Sequence, residues 1–265
     1  MTVNWEEIEK IATGWIINAG ENIRNSLTDQ LTILTKSNPN DLVTNKDKEI
    51  EKFFKKKIKE YFPTHFLLGE EGFGDSIEKV DGIVWVLDPI DGTMNFVHQK
   101  RNFAISLGVY ENGIGMLGII YDVLHNEFYT AKKGQGAYFN HKPIPKLKPI
   151  KIEEAIIALN SIWLTPNKRL NHHKLSDLVQ KVRGSRSYGS AALEFAYVAT
   201  QRLDAYITPR LSPWDYAAGK ILIEEVGGMC TTLSGNPLTI LENSSVLVCN
   251  ESIFNELLTE YIEEK

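Results

Sequence analysis

Two cysteines in 265 residues, Cys230 and Cys249, are too few for a disulfide framework and lack any metal-ligand spacing, so a reducing, cytoplasmic setting is expected. No apolar run approaches the ~18 residues of a membrane span. The opening Met1-Thr2-Val3-Asn4-Trp5-Glu6-Glu7 has no basic start followed by an apolar core, and so does not read as a signal peptide. An excess of positive charge is missing too: 29 Lys and Arg face 34 Asp and Glu, a formal charge of −5. Nucleic acids and anionic membranes require clustered cations to displace counterions, so neither is an expected partner. A small soluble substrate fits better. Repeats and low-complexity stretches are absent as well. What the chain does hold, 43% hydrophobic and 24% charged residues, is ample for one substantial core.

Trp5, Ile8, Ile11, Ala12, Trp15, Ile16, Ala19 and Ile23 recur at helical spacing, predicting an amphipathic helix over the first ~25 residues. The turn formers of Thr35-Lys36-Ser37-Asn38-Pro39-Asn40-Asp41 predict a mobile surface loop. A second helix is expected from Asn45 to Tyr61, its Lys55-Lys56-Lys57 a solvated face. Phe66-Leu67-Leu68 and Ile83-Val84-Trp85-Val86-Leu87 read as buried strands that end in acids, and 103–110, 114–121 and 127–131 as an antiparallel meander. Strands near 156–160, 184–187, 204–207, 229–232 and 245–248 then mix with helices near 171–182, 190–200, 214–226 and 251–264. The proline-rich Lys142–Pro149 segment marks a soft boundary, dividing the chain at about 145.

The chemistry concentrates in Trp85-Val86-Leu87-Asp88-Pro89-Ile90-Asp91-Gly92-Thr93-Met94-Asn95-Phe96. Pro89 cannot donate to a ladder and is expected to stop the strand after Asp88, while Gly92 permits a tight backbone where a helix begins. Asp88, Asp91 and the Ile90 carbonyl can then face one point. All are hard oxygen donors, which favour Mg²⁺, Mn²⁺ or Ca²⁺, and no His or Cys stands ready to complete a zinc site. Free N–H groups of Gly92, Thr93 and Met94 at the helix start suit a phosphate. Gly69-Glu70-Glu71-Gly72 at a strand end and Pro213-Trp214-Asp215 at a helix start offer further carboxylates. Alone, Asp215 reads as a first-turn acid and Glu70-Glu71 as a solvated turn. Their coincidence with Asp88 and Asp91 points to a metal site instead.

Gly69-Glu70-Glu71, the Trp85–Phe96 segment and Trp214-Asp215-Tyr216-Ala217-Ala218-Gly219 together resemble the signature segments of the inositol monophosphatase family, and the likeness runs over nearly the whole chain. The resemblance implies an α/β layered αβαβα sandwich, a homodimer, inhibition by lithium, and hydrolysis of phosphate monoesters with two or three Mg²⁺, Mn²⁺ being a possible substitute. Residue by residue, it implies that Glu70, Asp88 and the Ile90 carbonyl hold a first metal. Asp88, Asp91 and Asp215 hold a second, and Glu70 also orients the attacking water. Thr93 with Asp47 would activate that water, and Lys36 and Asp41 would lie on the loop near a weaker third metal. Gly189, Ser190, Ala191, Thr208 and Arg210 fall on the substrate side. The demanding reaction explains the acids, since phosphate-monoester hydrolysis requires up to ~20 orders of magnitude of acceleration, and closely packed carboxylates repel unless cations neutralise them.

The family accepts inositol phosphates, sugar phosphates, 3′-phosphoadenosine phosphates and dinucleotide phosphates. Animal inositol monophosphatases carry a glutamate seven residues before the last metal-binding acid, where this chain has Thr208, and nearby Arg210 offers a planar fork to a second phosphate, as in an NADP-like substrate. Two rivals are weaker. Asp91-Gly92-Thr93 echoes the nucleophile motif of haloacid dehalogenase-type phosphatases, but that motif separates its acids by one residue rather than two. A non-catalytic metabolite-binding relative would not keep every matched ligand acidic. Lys133-Gly134-Gln135-Gly136 reads as a hairpin turn, His172-His173 as surface, and His98 as a residue that could line the pocket.

Overall fold

The computed structural model describes residues 3–28, 32–36 and 42–265. Helix α1 (Trp5–Asn25) begins where Asn4 caps it, its side chain accepting the Glu7 N–H at 3.2 Å. Strands β1 (Ile33–Thr35) and β2 (Leu42–Thr44) pair antiparallel, so short β-branched segments flank a stretch read above as loop. Residues 37–41 between them, Asp41 included, lie outside the described residues. Helix α2 (Asn45–Tyr61) follows, then β3 (Phe66–Gly69), β4 (Ile83–Asp91), α3 (Thr93–Gln99), β5 (Ala104–Glu111), β6 (Ile114–Asp122), β7 (Glu127–Lys132), β8 (Ala137–Phe139) and β9 (Lys142–Pro143). The second half holds β10 (Ile156–Ala158), α4 (His172–Lys181), β11 (Gly184–Arg186), α5 (Ala191–Ala199), β12 (Ala205–Leu211), α6 (Pro213–Val226), β13 (Met229–Thr231), β14 (Ser244–Cys249) and α7 (Glu251–Glu256). In place of one helix over 251–264, α7 runs into a π turn at Leu257–Tyr261, and Glu264 then bridges to Leu170.

Two sheets result. Strands β3 to β9 lie in sequence order in a seven-stranded sheet, antiparallel apart from the β3–β4 pair, and the other sheet has the order β11-β10-β12-β14-β13. Period-two alternation along β4 shows how they stack. Trp85 and Leu87 face a core with Ile16 of α1 and Phe54 of α2, whereas Val84 and Val86 face the opposite way. That second core gathers Phe195 of α5, Ile221 of α6, and Tyr206 and Val248 of the five-stranded sheet. The far face of the smaller sheet, with Ile157, Ile207 and Leu247, is covered by Leu175 and Leu178 of α4 and Ile253 of α7. The order is helix, sheet, helix, sheet, helix, the layered αβαβα sandwich. Helices α5 and α6, buried between two sheets, bring their N-termini to the end of β4.

Candidate metal centre and active site

Strand β4 does not stop at Asp88. It continues through Asp91, and its register against β5 slips: Asp88 faces Ser106 and Asp91 faces Ala104, so three steps on β4 span two on β5. The extra residue is a β-bulge at Pro89–Ile90, where the proline has no N–H to lose. Without the bulge, residues three apart would point to opposite faces. With it, Asp88 and Asp91 share one. Strand β12 repeats the device, since Thr208 faces Val246 and Leu211 faces Ser244 across a bulge at Pro209–Arg210. Thr208 and Leu211 accordingly both line the cavity beside the acids.

Helix N-termini hold the remaining geometry. Asp215 is the third residue of α6 and one of its oxygens accepts the Ser212 N–H at 2.7 Å, closing a capping box. Asp47 does the same for Thr44 at the start of α2, where its other oxygen accepts from the Thr93 hydroxyl at 3.2 Å. That hydroxyl also lies 3.0 Å from the Ile90 carbonyl, and it has one proton for two acceptors. Asp91 sits at the start of α5, accepting from the Ser190 hydroxyl, from Ala192 N–H at 2.7 Å and from Ala191 N–H at 3.3 Å. Ser190 and Ala191, read as substrate residues, thus spend their donors on Asp91. Asp88 accepts the Ile90 N–H at 3.0 Å.

Carboxylate oxygens of Asp88, Asp91 and Asp215 come within 4.8 Å of one another. Burial pushes Asp91 up to about 6. Asp88 and Asp215 rise well above the usual carboxylate range, by burial and then by repulsion from neighbouring acids. Asp47 likewise rises to about 6 through burial. Among the described residues, no ion pair reaches the three clustered aspartates. Lys36 bridges Glu70 (2.8 Å) and Glu71 (2.5 Å) instead. Close, unneutralised carboxylates with only oxygen donors fit a hard divalent cation such as Mg²⁺ or Mn²⁺.

Glu70 stands beside Asp88 because β3 runs parallel to β4, and a buried glutamate shapes its turn. Glu51 of α2 accepts the N–H groups of Glu71 (2.6 Å) and Phe73 (2.7 Å). It was not singled out from the sequence, although it lies one helical turn after Asp47. Beside the acids opens a cavity of ≈ 250 Å³ lined by Asn160, Trp163, Gly189, Glu194, Tyr206 and Thr208, among others. Of these, Gly189 and Thr208 were expected; the rest were missed, since isolated polar and aromatic residues carry no spacing signal. Arg210 is exposed and does not line the cavity, though its charge opposes the rise in Asp215. Gly92 adopts φ 92° as the cap of α3, with Thr93 and Met94 following at its N-terminus. His98 is exposed at the far end of α3 and stands apart from the cavity lining. The Lys133–Gly136 segment is the turn between β7 and β8, and its Gly134 and Gly136 N–H groups donate to Glu225.

Comparisons with known proteins agree with this geometry. The sequence profile of the inositol monophosphatase family matches residues 4–265. The inositol-1-monophosphatase of Bacillus subtilis (strain 168) is 58% identical over 262 residues, covering 99% of each chain. The crystal structure of SaIMPase-II bound to inositol monophosphate superposes with a TM-score of 0.87 at 41% identity, over 97% of this chain and 93% of that one. An IMPase/NADP phosphatase complexed with Mg²⁺ and phosphate gives a TM-score of 0.87 at 31% identity, over 96% and 94%. The motif segments, the five layers and the whole-length likeness have one common reading: this chain belongs to the inositol monophosphatase family.

Proposed function

We propose that the protein hydrolyses phosphate monoesters, inositol monophosphate foremost, to the free alcohol and inorganic phosphate with Mg²⁺ as cofactor. The observation that carries the reading is the cluster of buried Asp88 and Asp91 with half-buried Asp215, opening onto a cavity of small-metabolite size. Glu70, Asp88 and the Ile90 carbonyl would hold one cation, and Asp88, Asp91 and Asp215 another; a weaker third would sit near Lys36 and Asp41. Bound there, the cations supply Lewis-acid neutralisation of phosphoryl charge and lower the pKa of water toward neutrality. The chain's own residues do the rest. Asp47, with one oxygen tied into the α2 cap, keeps the other on the Thr93 hydroxyl, so that Thr93 can accept a water proton while handing its own to Asp47. Glu70 also orients that water. The N–H groups of Gly92, Thr93 and Met94 receive phosphate oxygens, and Gly189 and Thr208 face the alcohol.

Residues 1–145 thus contribute most of the acids, and 146–265 contribute Asp215 with the substrate face. We extend the reading to a homodimer acting in the cytoplasm; among the described residues, no helix is long and apolar enough to cross a membrane. Thr208 supplies a hydroxyl where a carboxylate would hold inositol hydroxyls more strongly, which favours a second, broader substrate range. Phosphate release should be measured from inositol monophosphate, NADP, a 3′-phosphoadenosine phosphate and a sugar bisphosphate. Release from inositol monophosphate should require Mg²⁺ and stop reversibly in EDTA; release without a divalent cation would contradict the reading. Arg210, exposed outside the cavity lining, would meet only a substrate that projects beyond the cavity, so Arg210→Ala should raise KM for NADP and spare inositol monophosphate; equal effects on both would remove Arg210 from substrate binding.

A further inference from the structure

Glu194 lies beneath the cavity, 4% exposed, and the steps above leave it unused. Among the described residues it pairs with no cation. Its Oε1 accepts the Tyr188 N–H at 2.8 Å. Tyr188 and Gly189 form the tight turn that enters α5, where Gly189 takes φ 72°. From the other side Asn95 donates to the Tyr188 carbonyl at 2.7 Å and to the Asn102 carbonyl at 2.8 Å. The turn is therefore held at the Tyr188 N–H by Glu194 and at the Tyr188 carbonyl by Asn95. Next in the chain comes Ser190, which caps α5 and donates its hydroxyl to Asp91.

We propose that Glu194 is a positioning residue for the metal centre: by holding the 188–190 turn it fixes Ser190 and the α5 N-terminus against Asp91, and so sets the direction in which Asp91 presents its carboxylate to the cation. The inference rests on the reading that Asp91 is a metal ligand. Glu194 touches neither substrate nor reacting atoms in this scheme and acts through Ser190. The task requires a strong acceptor with no donor of its own facing the Tyr188 N–H. A glutamine loses the charge and carries an NH₂ in place of one oxygen, so its hold on that N–H is weaker. An aspartate keeps the charge but withdraws the carboxylate by one methylene.

Mn²⁺ binding to the full chain, followed by electron paramagnetic resonance of the free ion, separates these roles. Wild type, Glu194→Gln, Glu194→Asp and Asp91→Asn are compared, with near-UV circular dichroism as the check of fold. Both Glu194 variants should bind Mn²⁺ about 10–100-fold more weakly, the scale on which partners of metal ligands tune affinity, and turnover should return toward the wild-type kcat as Mn²⁺ is raised. Wild-type binding in Glu194→Asp would show that charge alone matters and overturn the positioning role. Wild-type binding in both, with only a lower Tm, would reduce Glu194 to a structural residue and overturn it equally. Should the Glu194 variants fail to fold, Asn95→Ala releases the same turn at the Tyr188 carbonyl and should shift the isotherm in the same direction; an unmoved isotherm counts against the proposal. Asp91→Asn tells the two readings apart, since Mn²⁺ binding as tight as wild type in that variant removes Asp91 as a ligand and the inference falls with it.

Discussion

Asp215 serves two purposes with one carboxylate, closing the α6 capping box and joining the acidic cluster. Substitutions can divide them. Asp215→Asn and Asp215→Ala remove the same charge, but asparagine can still accept the Ser212 N–H. In EDTA the alanine variant should therefore be about 1 kcal/mol less stable than the asparagine variant by urea melt, while both lose turnover. Equal stabilities would mean that the cap bond contributes nothing. Thr93 allows a kinetic test: Thr93→Ala should lower kcat by ~10²–10⁴ with little change in KM. A near-normal kcat would show that the Thr93–Asp47 pair is not part of proton transfer. At this scale the sequence was legible where acids stand at element ends beside Pro89, Gly92 or Pro213. It was silent on Glu51 and Glu194, because a glutamate inside a helix ordinarily reads as a solvent-facing residue, and only tertiary packing buries these two.

Between residue and whole, the elements explain how acids far apart in sequence converge. The bulges at Pro89–Ile90 and Pro209–Arg210 re-aim the ends of β4 and β12, and each strand then feeds a helix start within a few residues. Period and composition revealed the longer helices and strands, including α2 from Asn45 to Tyr61, because their apolar faces are regular, while the short β8 and β9 carried no such pattern. The continuation of β4 past Asp88 was hidden, since a proline signals a strand end and only the partner strand shows that the ladder resumes. The β1–β2 pair was hidden by the turn formers beside it. The end of β3 offers a direct test of packing. A Cβ on Gly69 would come within 2.4 Å of the Glu51 carboxyl carbon. Gly69→Ala should thus cost ~1–3 kcal/mol by overpacking, read by urea denaturation, and raise the Mg²⁺ requirement as the Glu70–Glu71 turn shifts. Unchanged stability would show that Glu51 can move aside freely.

For the molecule as a whole, the αβαβα sandwich gives up stability to keep acids together in its interior, and the pH dependence follows from the direction of their shifts. Burial pushes Asp91 and Asp47 up to about 6 in the metal-free native state and raises Asp88 and Asp215 well above the usual carboxylate range, against about 4 in an unfolded chain. The metal-free native state therefore binds more protons than the unfolded state. Their contribution to stability is fully present below about pH 4 and is lost as pH rises through about 6. A cation that binds the ionised cluster reverses this loss. The rise in Tm produced by Mg²⁺ should accordingly be small near pH 5 and large near pH 7, by differential scanning calorimetry; a rise independent of pH would place the cation elsewhere. The central claim is that Asp88, shared between the two sets of metal ligands, is indispensable to hydrolysis. Its most direct test is phosphate release from inositol monophosphate by Asp88→Asn at saturating Mg²⁺, with circular dichroism confirming the fold. The account predicts a folded protein without measurable turnover, and a folded variant that keeps a substantial fraction of wild-type kcat would contradict it.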